Sequence, residues 1–376
     1  MEGPGVIGKV LIVGGGVGGM SAAIALSRNG LAVELIDADP QWRVYGAGIS
    51  VTGISLRAFA DLGVLEEVRR QGFVGSGFRG RAVGGDILFE APLIENAAPV
   101  QQGGGILRPV LHGILSAAVR RADVTVHLGI TVAAVSQDAT GVEVTFSDGR
   151  SGRYELVVGA DGIHSQLRAV VFPEAPPPAL TGQGCWRVVA ARPAAVDRTE
   201  MYLGGPVKLG INPVSATQMY LFVLEHVPTN PFFADDVRVG HLRGLLDGYG
   251  GAVPAVRGSI TEPAQVNYRP LEWILLPDPW YRGRVVLIGD AAHATTPHLA
   301  SGAGLAAEDG LVLAQELQRH DDVETALRAF MDRRFERVRQ VVTQSVRIGE
   351  IEMAGDTSNQ GAALLAATMA GLQAPY

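Results

Sequence analysis

The stretch Lys9-Val10-Leu11-Ile12-Val13-Gly14-Gly15-Gly16-Val17-Gly18-Gly19-Met20 decides the fold. A short apolar run, rich in β-branched residues, ends in glycines and resumes as small and apolar residues suited to a helix. This reads as strand, tight turn and helix. The helix is expected over Met20 to Asn29, with Gly30 at the stop position, and Leu31 to Ile36 then alternates as a second strand ending at Asp37. The whole is a βαβ unit. In Gly14-x-Gly16-x-x-Gly19 the glycines suit a tight turn, close backbone approach to a pyrophosphate and close helix–strand packing. The helix N-terminus offers free N–H groups and a partial positive charge to phosphates. Asp37 stands about 18 residues past Gly19, where a ribose hydroxyl needs an acceptor. The plain alternative is a structural glycine turn. The strand, helix and acid together predict dinucleotide binding, and a carboxylate there argues against a 2′-phosphate, which leaves FAD or NAD.

Outward from that unit, the 376 residues are 47% hydrophobic and 18% charged, as expected of a globular chain with a large core. The net charge of −7 comes from scattered acids, and no basic block offers a nucleic-acid surface. Cys185 is the only cysteine, so an intramolecular disulfide or a cysteine metal cage is excluded and a cytoplasmic setting is expected. No apolar run reaches the roughly 18–20 residues of a spanning helix, and Val6 to Val13 runs into a glycine turn rather than a signal-peptide cleavage site. His293 and His298 share no helix face and have no carboxylates at ligand spacing, so no metal is expected. Cys185 reads as a small buried apolar residue.

The middle of the chain has a different texture. Val132 to Val158 reads as strands broken at Thr140-Gly141 and Asp148-Gly149, and Cys185 to Ala191, Val207 to Ile211 and Met219 to Leu224 as further strands. The proline-rich segment Pro173 to Pro178 marks a crossing between domains. Arg284 to Ile288 is a strand meeting Gly289-Asp290, a helix is expected from near Gly302 to about Gln318, and a long amphipathic helix over roughly Val323 to Met353. The tail from Gly361 to Tyr376 reads as a docked helix.

Two further motifs separate FAD from NAD. Val157-Val158-Gly159-Ala160-Asp161-Gly162-Ile163-His164-Ser165 leads to Arg168, and Gly289-Asp290-Ala291-Ala292-His293 leads to Pro297. With the glycine loop, in this order and at this spacing, the chain resembles the flavoprotein aromatic hydroxylases, the group of the para-hydroxybenzoate, salicylate and urate hydroxylases. The resemblance implies an FAD cofactor. It implies that Asp161 serves FAD and a transient NADH or NADPH, that Asp290 accepts from the flavin ribityl hydroxyls, and that Arg108 contacts the pyrophosphate. Gly302, Ala303 and Gly304 would bring backbone N–H groups to the flavin ring, and Arg43 could reach the cofactor region. Local alternatives are a turn acid at Asp161, a helix cap at Asp290 and a solvated helix-end arginine at Arg108. The chain departs from many relatives in having Asp37-Ala38 for Glu-Arg, and Ala300-Ser301-Gly302 where Gly-Gln-Gly is common.

The expected architecture is α/β: a Rossmann-like FAD-binding domain from residues 1–72, 107–172 and 280–320, an inserted, mainly antiparallel substrate domain from 73–106 and 173–279, and a C-terminal helical region over 321–376. The resemblance implies a single-component monooxygenase that uses NAD(P)H and O2 to hydroxylate an electron-rich aromatic or heteroaromatic molecule through a flavin C4a-hydroperoxide. Lys208 and Tyr220 fall where urate hydroxylases hold a substrate-binding arginine and tyrosine. Lysine lacks the planar fork of arginine, but its ammonium would stabilise a phenolate-like ring. The alternatives are a solvated strand lysine and a core tyrosine. A polycyclic or antibiotic-like substrate, a flavin oxidase or reductase, and a non-enzymatic FAD-binding regulator stay open, as does a monomer or a homodimer.

Overall fold

Val10 to Ile12 have no solvent exposure and form the centre of a six-stranded sheet. The computed structural model describes residues 7–44, 46–75, 77–91, 98–229, 231–355 and 359–376. Across this sheet the strands run Tyr281–Arg282, Val285–Leu287, Leu156–Gly159, Lys9–Val13, Ala32–Asp37 and Thr125–Leu128, parallel except for the first. Runs of apolar residues are what a parallel sheet covered on both faces requires. The register pairs Val13 with both Ile36 and Gly159, and Gly159 with Leu287. Parallel strands in this register end together, so the glycine loop, Asp37, Asp161 and Asp290 all emerge at one edge of one sheet. Ligands of open α/β sheets bind at that carboxyl edge.

The glycine-loop helix spans Val17–Arg28 and packs against Gly302–Arg319, which in turn packs against the 31-residue helix Val323–Met353. The tail forms a helix over Gln360–Gly371 that docks on the long one. Strands Val132–Gln137, Val142–Phe146 and Ser151–Tyr154 make a separate antiparallel sheet. Among the described residues no helix is long and apolar enough to cross a membrane.

A seven-stranded sheet forms the second layer, in the order Val266–Trp273, Ala179–Ala191, Gln218–His226, Lys208–Pro213, Thr199–Leu203, Phe78–Ala82 and Ile87–Ala91. It is antiparallel except where Thr199–Leu203 meets Phe78–Ala82. Alternation assigns its two faces. Trp186, Val188, Leu209, Leu221 and Val223 form a core with Leu242, Val253 and Val256 from two short helices. Cys185, Arg187, Lys208, Asn212, Tyr220 and Phe222 belong to the other face, which turns toward the nucleotide-binding layer. The cleft lies between that face and the carboxyl edge of the parallel sheet.

Candidate active site

The glycines of the first loop have separable roles. Gly14 has φ +104°, and a side chain there would overlap the Ala160 backbone. A Cβ on Gly19 would overlap the Gly14 carbonyl oxygen, whereas one on Gly16 would meet nothing within 4 Å. Gly16 is thus the glycine of this fingerprint with open space beside it. Asp37 accepts the Gly15 N–H at 2.7 Å through one oxygen and the Asp39 N–H at 2.8 Å through the other. It orders the loop, and each of its oxygens keeps a lone pair beyond these bonds. Trp42 was not foreseen from sequence. Its indole N–H donates to the Gly15 carbonyl at 3.0 Å, and its ring meets His112 edge-on at 5.5 Å. No periodic signal marks an isolated tryptophan in a loop. Arg43 is half exposed and pairs with Asp39 at 3.2 Å.

Asp161 accepts from the Ser165 hydroxyl and from the Leu167 N–H at 3.0 Å, and so orders the turn before the helix Gln166–Val171. The Arg168 guanidinium donates to Ile163 O at 2.6 Å and Ala291 O at 2.8 Å, tying the Asp161 loop to the Asp290 loop. This link falls between two motifs distant in sequence.

Asp290 differs from the other acids. Among the described residues its side chain has no hydrogen bond or ion pair, and its N-cap role is not used. Its side chain is exposed, although many protein atoms lie around it. Desolvation pushes its carboxyl above the ordinary value, against the pull of His293 and Arg108. A carboxylate so placed is a ready acceptor for a ligand hydroxyl.

The turn carrying Asp290 is held from below. Gly289 has φ +57° and ψ −144°, a region open to glycine, and its N–H donates to Asp309 at 2.8 Å. Asp309 also bonds His293 at 2.6 Å and the Arg334 Nε at 2.8 Å, while Arg334 Nη1 reaches Glu308 at 2.8 Å. All four side chains are buried. Burial alone would raise the Asp309 carboxyl, but His293 and Arg334 hold it at about 2. The i, i+1 acids of one helix and an arginine on the next are a fold-level pairing that no local motif announces.

Arg108 opens the helix Arg108–Arg121, and its N–H bonds Ala47 at 3.1 Å. Its side chain has no hydrogen-bond or salt-bridge partner among the described residues. Burial, then the neighbouring Arg187, lower its pKa, while Tyr220 and Asp290 oppose them. One guanidinium is thus within electrostatic reach of both walls of the cleft. Gly302, Ala303 and Gly304 begin a helix, and no acceptor among the described residues takes their N–H groups. Gly304 also permits close packing, since a Cβ would press on Ile54 and Ser55. The Ser301 hydroxyl turns back to Leu299 O at 2.7 Å rather than toward the cleft.

On the opposite wall the Tyr220 ring lies flat over Gly48, and its hydroxyl bonds Ser50 at 2.8 Å. Lys208 pairs with Glu352 of the long helix at 2.5 Å, and His298 lies 3.4 Å from the other Glu352 oxygen. Cys185 is buried, and burial raises its thiol. A wide groove of about 780 Å³ lined by Lys9, Arg28, Leu31 and Arg121 lies at the amino ends of the parallel strands, the wrong edge for this chemistry.

These features fit FAD: ligand space at Gly16, free N–H groups at two helix starts, an unpaired arginine and an unpaired, cleft-facing carboxylate. An FAD binding domain model matches residues 8–202 and 273–348. The chain belongs to the FAD-dependent aromatic hydroxylase family. It is 31% identical to the aurachin C monooxygenase/isomerase of Stigmatella aurantiaca over 349 residues, 91% of this chain and 89% of that one. It is 30% identical to the FAD-dependent urate hydroxylase of Klebsiella pneumoniae over 363 residues, 90% of this chain and 88% of that one. The crystal structure of Klebsiella pneumoniae HpxO complexed with FAD and uric acid superposes with a TM-score of 0.83 at 28% identity, covering 97% of this chain and 92% of that one. The chain is accordingly an FAD-dependent monooxygenase of α/β fold. The span 203–272, outside the matched segments, contains Lys208, Tyr220 and the two short helices behind the sheet.

Proposed function

We propose that this hydroxylase uses NADH or NADPH and O2 to hydroxylate an electron-rich aromatic or heteroaromatic small molecule lying between the parallel-sheet edge and the seven-stranded sheet. The observation that carries this reading is that Arg108 lies within electrostatic reach both of Asp290 at the parallel-sheet edge and of Tyr220 on the second sheet. Bound FAD would supply electron transfer and oxygen activation. Gly14, Gly16 and Gly19 form its phosphate turn, with Asp37 at the ribose, Arg108 at the pyrophosphate, Asp161 at the shared cofactor edge and Asp290 at the ribityl hydroxyls. The N–H groups of Gly302, Ala303 and Gly304 would face the ring and favour negative charge there.

Tyr220 forms a wall of the ring pocket, and Lys208 with Glu352 closes its far end. The sheet face excludes water, which keeps activated oxygen for the substrate. With one glycine fingerprint set between a parallel strand and a helix, the nicotinamide nucleotide binds transiently in the same cleft. Relatives named for urate and for 2-heptyl-3-hydroxy-4(1H)-quinolone support a bicyclic heteroaromatic ring. The test is NADH and NADPH oxidation by the flavin-loaded protein with phenols, hydroxypyridines, quinolones and purines, measured with hydrogen peroxide yield. A ring that accelerates oxidation while peroxide stays low supports the reading. Oxidation that no ring accelerates, or that returns all its electrons as peroxide, removes it.

A further inference from the structure

Arg187 lies in the middle of the strand Ala179–Ala191, paired with Phe222 on one side and Asn267 on the other. Trp186, its neighbour in the chain, packs its ring at a tilt against Tyr268, 4.5 Å between centroids, behind the sheet, so Arg187 belongs to the cleft face. Among the described residues its side chain makes no hydrogen bond and no ion pair. It is only partly exposed, and its charged neighbour is Arg108, a second cation, which makes no ion pair and has Asp290 as the acid in its electrostatic reach. The remaining charges of this wall give it no counter-ion. Lys208 is already matched by Glu352, Arg269 on the edge strand is exposed, and Asp290 stands across the cleft with Arg108 between them in electrostatic reach.

Two guanidiniums within electrostatic reach of each other, neither in an ion pair, are costly unless an anion joins them. The flavin pyrophosphate accounts for Arg108, which starts a helix of the nucleotide-binding layer. It leaves Arg187, which stands on the substrate sheet beside an aromatic surface: Phe222 is its cross-strand partner, Tyr220 is diagonal to it, and their rings are 5.9 Å apart.

Resting on the hydroxylase reading above, we propose that Arg187 is the specificity residue of the substrate pocket and binds an anionic group, a carboxylate or a deprotonated ring hydroxyl, on a planar aromatic substrate. Its fork can take two oxygens at once, whereas the Lys208 charge is spent on Glu352. The pocket therefore selects for charge through Arg187 and for planarity through Phe222 and Tyr220.

The experiment titrates the oxidised, flavin-loaded protein with matched rings, salicylate against phenol and a quinolone carboxylate against its decarboxylated form, following the flavin absorbance change. Wild type, Arg187→Gln, Arg187→Lys and Lys208→Met are compared, with flavin content measured for each. The expected result is a loss of roughly 10- to 100-fold in affinity for the anionic rings in Arg187→Gln. Partial recovery is expected in Arg187→Lys, with neutral rings and flavin content little changed. Equal losses for charged and neutral rings, or a fall in flavin content that accounts for the loss, overturns the assignment. Wild-type binding that ignores ring charge overturns the assignment and leaves the hydroxylase reading standing. Failure of every ring to perturb the flavin overturns both.

Discussion

Lys208 and Glu352, 144 positions apart in the chain, join the substrate sheet to the end of the long C-terminal helix through a 2.5 Å ion pair. The pair is about a quarter exposed at each side chain, so its net worth is about 1 kcal/mol or less. Burial tends to raise the Glu352 carboxyl, but His298 and Lys208 outweigh it and leave it below the ordinary range. A depressed carboxylate stabilises the fold above its unfolded pKa, and that contribution fades as pH falls through the folded value. Lys208→Met should lower the melting temperature at neutral pH, and the difference from wild type should shrink as pH drops below the ordinary carboxylate range. A difference independent of pH would show that packing, not charge, is what the lysine contributes.

The glycine loop separates folding from binding. Gly14→Ala must strain φ and strike Ala160, and Gly19→Ala must displace the Gly14 carbonyl. Both should lose several kcal/mol, roughly the range of severe backbone and overpacking changes. Gly16→Ala sits in extended backbone with open space around it. Its apoprotein should melt within about 0.5 kcal/mol of wild type while flavin affinity falls by about tenfold or more. Chemical denaturation of apoprotein, paired with flavin titration, reads both quantities. An unchanged flavin affinity would remove Gly16 from the phosphate turn.

Arg334 is the fixed point beneath Asp290. Replacing it with Met strands Glu308 and Asp309 without one of their cations, a loss of roughly 3–5 kcal/mol. The Gly289 N–H would then lose a well-placed acceptor, and flavin retention should fall with stability. The acid limb follows from Asp309, whose folded carboxyl lies at about 2, below its unfolded value. Its contribution is complete above the ordinary aspartate range and disappears as pH falls toward 2. Arg334→Met should accordingly flatten the acid side of the stability curve, seen in melting temperatures taken from neutral pH downward.

Local rules carried much of this into view. The helix Val323–Met353 starts and stops where apolar periodicity implied, because a 31-residue amphipathic run has one face to bury. The glycine helix begins at Val17 rather than Met20, since glycines that face a packed neighbour can sit inside a first turn. The gathering of Gly14, Asp37, Asp161 and Asp290 on one edge was legible only through family likeness, for it depends on strand register and order. Trp42 on Gly15, the Arg168 tie between two loops and the Asp309–Arg334 network stayed hidden for the same reason. Each partner lies far away in sequence and is chosen by packing. Arg187 gives no signal in the sequence, because one charged residue in a strand has no periodicity, and its meaning comes from what fails to face it.

Asp290 offers the sharpest division between stability and function. Its carboxyl is pushed above the ordinary value by desolvation, so the ionised form works against folding at neutral pH. Here the sign is opposite to Asp309: the penalty is absent below the unfolded pKa and grows as pH rises through the folded one. Asp290→Asn removes the charge while keeping the size, and the apoprotein should melt at a higher temperature than wild type at pH 7. The same change weakens the acceptor offered to a ligand hydroxyl, so flavin should bind less tightly, by roughly 10-fold or more for a charged hydrogen bond. Opposite movements of apoprotein stability and flavin affinity, measured on one preparation, identify a residue kept for binding at the expense of the fold. If both fell together, Asp290 would instead be a structural cap of its turn, and the open side of its carboxyl would have no functional meaning.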